Sequence, residues 1–515
     1  MRKSLIAIAF IVILALAACV TGPDFKAPAT PPRSAIMVPP SRVTEVTTVP
    51  GGEAQRFEAG SQVATDWYRL FHSVELDALI ARALKNNPSL EVAQARLGQA
   101  RHQLEASQGV RYPSVDAQLG VSRNADNGAR LGVDSPQLNN VFNLYTAGLS
   151  LSYDLDLFGA VSRGIEAQAA RAEASHDALL GTYLTLINNL VVTALNAADL
   201  EDRITATHRI ISNEENQLML VDGLEKAGTV SHADVLRAKA QLAAVRSSLP
   251  PLRQALSAQQ TQLALLSGID PGQFTPPSLS LSDFTLPQTL PYSLPSALVH
   301  QRPDILEAES NLHVASAEVG VATANLYPHL ILSADYGVQG NDGGTLFDAP
   351  ARVWSIGGSL LAPLFHGKAL HAERDAAVDA YDAAYAQYRE TVLRAFGQVT
   401  DTLNAIGNDA DELKSQHDAL TAAAASRQLV EAQYRVGAAN YLDVLTSEQQ
   451  FNKTDIAYLG ALGQRYIDTA ALYQALGGGW WNAKPNRVAA QSAMIVPKPT
   501  ATTTTVTAPK NHPAL

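Results

Sequence analysis

Few residues in this chain are typed and spaced for chemistry, and the best of them come as a pair. Gly228–Leu236 reads G-T-V-S-H-A-D-V-L and Gly437–Leu445 reads G-A-A-N-Y-L-D-V-L. In each, a Gly is followed six residues on by Asp-Val-Leu, and a Gln stands five residues beyond the Leu, at Gln241 and Gln450. A Gly able to take positive φ, then Ser231 or Asn440 as an N-cap, is how one helix stops and the next begins. Asp234 and Asp443 therefore sit at helix starts. Asp443, in Leu442-Asp443-Val444-Leu445, can cap or solvate its helix start. Other chemistry finds little support. The 12 His are scattered, and His366 and His371, five apart, would point about 140° from each other on a helix, a poor metal geometry. No phosphate loop, nucleophile elbow or zinc motif is present.

The one cysteine, Cys19, closes Leu16-Ala17-Ala18-Cys19 after Arg2, Lys3 and an apolar run from Leu5 to Ala15. A basic start and a short apolar run make a secretory signal rather than a membrane anchor. The ending resembles a bacterial lipoprotein box, in which Cys19 becomes the mature first residue carrying N-acyl and S-diacylglycerol groups. A lone thiol makes no internal disulfide, and no cofactor is expected. The formal charge of −11 lacks the basic footprint of a nucleic-acid partner. After the signal, no stretch is expected to be apolar enough for a transmembrane helix.

The elements that position these residues follow in chain order. Residues 19–65 lack a hydrophobic period and should be extended. Helical pattern runs from about Val74 to Val110. Val115, Ala117, Leu119 and Val121 then alternate with polar residues, as do Leu149, Leu151, Tyr153 and Leu155, which predicts strands with one apolar face. Asp116, Asp154, Asp156 and Asp335 are expected on the polar faces. A helix from about 160 to 227 would be roughly 100 Å long. Its return helix, about Ser231 to Leu266, should kink or break at Pro250-Pro251. A Pro-rich linker spans Asp270–Pro295, and then the programme repeats. Ala83–Pro113 matches Leu298–Pro328 at a constant offset of 215, with Pro88/Pro303 and Tyr112-Pro113/Tyr327-Pro328 identical. The organisation is therefore a signal at 1–18, an extended segment at 19–65, repeats at 66–290 and 291–480, and a disordered tail at 481–515.

Strands of about ten residues suit a tilted bilayer crossing. The alternative is a soluble sandwich, in which the polar faces meet water and the apolar faces pack together; if the strands are in a membrane, four cannot close a barrel and an open edge is not tolerated in lipid, so several chains must share one. Asp116, Asp154, Asp156 and Asp335 would then line an acidic lumen, while Tyr153, Tyr336 and Trp354 face lipid.

The sequence resembles the TolC superfamily of outer-membrane factors, in its NodT-type efflux lipoprotein branch. The resemblance rests on Cys19 with Gly22-Pro23-Asp24-Phe25, Arg302-Pro303-Asp304, Tyr327-Pro328, Gly437 with Tyr441-Leu442-Asp443-Val444-Leu445, and Ala475-Leu476-Gly477-Gly478-Gly479-Trp480. It implies a mainly α fold with a long periplasmic α-helical barrel, and a homotrimer sharing a twelve-stranded β-barrel in the Gram-negative outer membrane. It also implies a periplasmic membrane-fusion adaptor, met by Gly228, Thr229, Val230, Ser231, Val436, Gly437 and Ala438, and an inner-membrane pump of the RND type. Asp443 matches an acidic constriction, and Asp234 and Tyr434 match positions that hydrogen-bond between helices to hold the tip shut. An Arg found near the tip in some relatives is absent, since Ala438 and Ala439 follow Gly437. The expected role is a passive efflux duct. The rival readings are a type I protein-secretion duct and, from another class, a periplasmic lipoprotein hydrolase.

Overall fold

The computed structural model describes residues 20–29, 41–126, 140–292, 295–344 and 346–482. Cys19, the signal and the tail beyond Asn482 lie outside them. The chain folds as β1 (Arg56–Ala59), α1 (Val74–Asn86), α2 (Pro88–Gly109), β2 (Ser114–Asp126), β3 (Asn140–Asp154), α3 (Ala160–Lys226), α4 (His232–Leu266) and β4 (Thr289–Tyr292). It continues with α5 (Pro303–Ala324), β5 (His329–Gly340), β6 (Arg352–Leu361), α6 (Ala369–Arg435) and α7 (Tyr441–Ala475).

The duplication is kept to the residue. α2 and α5 each have 22 residues, α3 and α6 each 67, and α4 and α7 each 35. At ~1.5 Å per residue, α3 and α6 are each about 100 Å long. From α2 through β2 the second half follows the first at an offset of 215, and from β3 onward at 209. The six-residue difference falls at the ends of the hairpins away from the helices, where the connecting segments 127–139 and 341–351 differ by two residues and the strands of the first hairpin run further before turning.

β2-β3-β5-β6 form one antiparallel sheet. Its rows alternate in chemistry because strand side chains alternate in direction. Asp116, Ser150, Asp335 and Ser355 lie opposite one another in one row, and Ala117, Leu149, Tyr336 and Trp354 in the next. Leu119, Leu149, Tyr336, Trp354 and Ile356 are all more than half exposed, so the apolar face has no partner among the described residues.

Below the sheet, α2 and α4 lie end to end beside α3, and α5 and α7 end to end beside α6, with α3 also packed on α5 and α7. The two end-to-end joints use equivalent residues. Asn87 caps α2 by accepting from Ser89 N and Leu90 N, and its Nδ2 donates to Leu266 O at the end of α4 (2.8 Å). Arg302, at the N-cap of α5, donates from Nη1 to Ala475 O at the end of α7 (2.9 Å). The chain leaves each return helix through a Gly at positive φ, Gly268 (68°) and Gly477 (91°). A Cβ on Gly268 would fall 2.2 Å from Asn86 O, and one on Gly477 2.9 Å from Gln301 O, so the close approach of the helix ends excludes any side chain.

The main core lies at these joints, midway along the long helices. Leu190, Val191 and Leu195 of α3, Val399 and Leu403 of α6, Tyr466 and Tyr473 of α7, and Leu76 and Ile80 of α1 meet there, with Trp67 stacked on Tyr473 at 5.1 Å.

Several expectations are corrected. The helical run from Val74 is broken at Asn87-Pro88, because Asn87 is extended (ψ 121°) and starts a second helix with Pro at N1. α4 runs unbroken through Pro250 and Pro251. Packing along α3 outweighs the missing donors, with Arg246 on Glu215 and Arg253 on His208 to either side. The extended N-terminal segment and the Pro-rich linker are not featureless, since they contribute β1 and β4, paired in parallel. α3 does contain an 18-residue window apolar enough to cross a bilayer, and more than half of it is buried within the protein, which accounts for its composition. The fold also extends past 480: Asn482 Nδ2 donates to Val63 O at 2.8 Å.

Candidate functional site

The two matched turns come together at the end of the long helices farthest from the sheet. Gly228 (φ 75°) and Gly437 (φ 76°) reverse the chain, with Thr229 N donating to Leu224 O and Ala438 N to Gln433 O, the same turn built twice. Both return helices start with reciprocal capping. Ser231 Oγ accepts from Asp234 N while Asp234 Oδ2 accepts from Ser231 N (3.1 Å) and Ser231 Oγ (2.7 Å). Asn440 Oδ1 accepts from Asp443 N (3.1 Å) and Asp443 Oδ2 from Asn440 N (3.0 Å). A small apolar cluster of Val221, Val235, Ala238, Tyr441 and Val444, flanked by Val230 and Tyr434, holds the two turns side by side.

Asp443 is exposed, and so are Gly228, Thr229, Ser231, Val436, Gly437 and Ala438, with Val230 half-buried. Asp234 and Tyr434 do not hydrogen-bond to each other within the chain. The other oxygen of Asp234 is taken by Arg237 Nη1 at 2.6 Å, and its carboxyl is held below the usual range by the Ser231 hydroxyl against some desolvation. Burial, then the nearby charge of Asp234, raises the Tyr434 hydroxyl.

A polar network beneath this cluster escapes sequence reasoning. Glu214 of α3 is 1% exposed and accepts from Gln241 Nε2 of α4 (3.4 Å) and Asn452 Nδ2 of α7 (3.2 Å). Gln449 Nε2 of α7 donates to Gln241 Oε1 at 2.7 Å, so Gln241 is joined by the neighbour of Gln450. One carboxylate thereby ties both return helices to α3. Burial raises the Glu214 carboxyl. Burial together with Glu214 pushes Glu448 up to about 7 and Tyr441 up to about 12. Glu214 carries no local motif. Its only signal is a carboxylate at a position where the helix packs inward.

On the sheet, Asp116, Asp154 and Asp335 lie on the polar face as expected, and Ser355 Oγ donates to Asp335 Oδ2 at 2.9 Å. Asp156 does not. It lies beyond β3 with φ 37°, and its carboxylate accepts from Val161 N, Ser162 N and Ser162 Oγ (2.7–2.8 Å), capping α3. The alternation D-L-D-L runs past the strand because helix capping claims the second Asp. Among the described residues no cluster of His, Cys, Asp or Glu is suited to a metal.

The N-terminal motif is docked at this same junction. Thr21 N and Oγ1 both donate to Phe158 O, and Arg163, buried on α3, donates to Thr21 O, Gly22 O and Asp24 Oδ1 (2.7 Å). Phe25 stacks on His313 at 4.3 Å, and Arg163 and His313 both hold Glu166.

The family model for outer membrane efflux proteins matches residues 79–269 and 294–478. The chain is 31% identical over 428 residues to the pyoverdine export outer membrane protein OpmQ of Pseudomonas aeruginosa, covering 82% of this chain and 90% of that one. It is 26% identical to the probable outer membrane lipoprotein SilC of Salmonella typhimurium, covering 81% and 88%. The solved structure of the outer-membrane channel OprN superposes with a TM-score of 0.81 at 28% identity, over 90% of this chain and all of that one. Paired helix turns, a sheet with one lipid-like face and helices on the order of 100 Å thus find one explanation: the chain belongs to the outer membrane efflux protein family and is an outer-membrane channel of the TolC-like fold.

Proposed function

We propose that three copies join their four-stranded sheets into one barrel and their helices into one periplasmic tube. The tube is a passive duct without enzymatic activity, through which an inner-membrane pump exports small molecules. The observation that carries this is the sheet itself. It has an exposed apolar face, an acidic and polar opposite face, and two unpaired edges, a combination stable in lipid only when closed.

The two repeats, 66–290 and 291–480, then alternate around the axis and bring six turns to the tip. Asp443 supplies the constriction as a ring of three carboxylates. Contacts of Tyr434 and Asp234 across neighbouring chains hold the tip closed. The exposed residues Gly228, Thr229, Val230, Ser231, Val436, Gly437 and Ala438 receive the periplasmic adaptor, whose docking opens it. Asp116, Asp154 and Asp335 make the lumen acidic. Lipid on Cys19, one residue before the described chain begins, anchors the protein beside the barrel rim where Thr21 is docked.

Detergent-purified protein should have the mass of a trimer and form channels in planar bilayers. A monomer without conductance would exclude the duct. Crosslinking through Gly437→Cys should capture an adaptor protein and identify the pump.

A further inference from the structure

Midway along the long helices, the seam between α6 and α7 holds a buried charge that the duct itself does not require. Arg465 of α7 is fully buried and fastens a strap of the N-terminal segment, residues 44–55. Its Nη2 donates to Glu53 O (2.7 Å) and Thr44 Oγ1 (3.2 Å), and its Nε to Gln55 Oε1 (3.4 Å). Gln55 Nε2 in turn donates to Pro287 O (3.1 Å) and Thr469 Oγ1 (3.0 Å). All of Arg465's acceptors are neutral. Its Nη1 is buried without an acceptor, and the carboxylates whose charge it feels, Glu53 and Asp409, act from beyond ion-pair contact. One oxygen of each, Glu53 Oε2 and Asp409 Oδ2, is likewise buried with no donor.

Asp409 of α6 meets a second carboxyl, that of Asp468, which stands three residues beyond Arg465 on α7. Two carboxyls in hydrogen-bonding contact cannot both stay ionised, so one proton joins them. Gln464 Nε2 donates to Asp468 Oδ2 at 3.0 Å and favours keeping the remaining negative charge there. Burial, then Asp468, pushes the Asp409 carboxyl up to about 8 from the ordinary 3.8. Glu412 of α6 adds to the rise and Arg465 opposes it, while Lys414 of α6 meets Glu45, just inside the strap, at 3.9 Å. The internal duplication separates this cluster from the packing of the helices. At the offset of 209, Asp409, Arg465 and Asp468 correspond to Leu200, Leu256 and Gln259, none of which titrates, and α3 and α4 pack without them.

We propose that Asp409 and Asp468 form a proton switch for the strap. With one proton shared between them, Arg465 stays on the oxygens of the strap. With none, the doubly charged pair draws the guanidinium to itself and residues 44–55 lift. The direction is set by where the proton is held. From about 3.8 to about 8 the closed strap keeps a proton that the lifted one gives up, so closure weakens as pH rises through that window and levels off above about 8.

Hydrogen exchange of the full-length protein in detergent tests this, with rates corrected for the intrinsic effect of pH. Amides of residues 44–55 should lose about tenfold in protection from pH 6.5 to 7.5, one proton per opening, and little from pH 8.5 to 9.5. Asp409→Asn replaces the shared proton with an amide hydrogen that does not titrate, and should keep the strap closed with a flat profile. Asp468→Asn should do the same, and serves if the first variant does not fold. The amides of α1 should show no such step in any of these proteins. A flat profile in the wild type, or the wild-type slope retained in the Asn variants, overturns the switch. So does an equal loss at α1, which would make the event an unfolding of the whole mid-region and not a lifting of the strap.

Discussion

Asp443 completes its helix cap with its backbone N–H and one carboxylate oxygen, both bonded to Asn440, and its side chain is exposed. The constriction proposed above uses that same carboxylate, so cap and charge must be tested separately. Asn440→Ala, which breaks the cap and leaves the charge, should cost about 1 kcal/mol of local stability. Asp443→Ala removes the charge as well, and should lower the cation-over-anion preference in planar bilayers, whereas Asn440→Ala should leave selectivity near wild type. Equal selectivity in wild type and Asp443→Ala would remove Asp443 from the constriction. Glu448 makes a separate prediction. Its carboxyl is pushed up to about 7 from the ordinary 4.5, so between those values the folded tip holds a proton that the unfolded chain releases. Tip stability should therefore fall as pH rises from about 4.5 to about 7, and level off above. Glu448→Gln should flatten this dependence, measured by hydrogen exchange of the α7 amides at pH 5.5 and 7.5 after correction for intrinsic rates.

At the scale of elements, the joints between α4 and α2 and between α7 and α5 let two short helices act as one long one beside α3 or α6. The Arg302 joint is the more demanding, because the buried guanidinium also binds both oxygens of Asp304 and Gln398 Oε1. Arg302→Ala should cost about 3 kcal/mol in thermal or denaturant unfolding, and Asn87→Ala about 1 kcal/mol. Equal losses would show that the charge adds nothing at the joint. Much of this layout was legible in advance. Period-two alternation marks β2, β3, β5 and β6, and the Gly/Asp pattern marks both turns. What was not legible depends on distant partners. β1 and β4 are four residues each and pair across more than two hundred residues, with Pro291 inside β4. Pro88 and Pro250 give opposite outcomes, because Asn87 offers an alternative cap at the first while continuous packing on α3 carries the helix through the second. Glu214 could not be singled out from other helical acids until its burial between three helices was known.

For the whole molecule, the repeats differ in how the N-terminus is held. The dock of Thr21, Gly22 and Asp24 on Arg163 occurs where β3 passes into α3, and the counterpart of Arg163 in α6 is Ala372. A trimer would thus be anchored at alternate junctions only. Arg163→Ala should release this segment and expose the Val20–Pro28 stretch to protease in outer-membrane preparations, while trimers and conductance persist. Protection equal to wild type would show that the remaining contacts suffice.

The six residues by which the two repeats differ have a practical consequence. The three long helix pairs match to the residue and both hairpins keep their register at the helix-side end, so the length difference between the repeats is confined to the far ends of the hairpins, where β2 turns back to β3 and β5 to β6. An epitope tag inserted between Asp126 and Asn140 should be displayed on intact cells and accepted without loss of export. A single residue added midway along α3 would rotate its far half by about 100° and abolish assembly. Antibody labelling of whole cells for the first and membrane fractionation for the second would make the comparison. On the trimeric reading proposed above, the end of the barrel away from the helices is thus where foreign peptides can be carried without disturbing the duct.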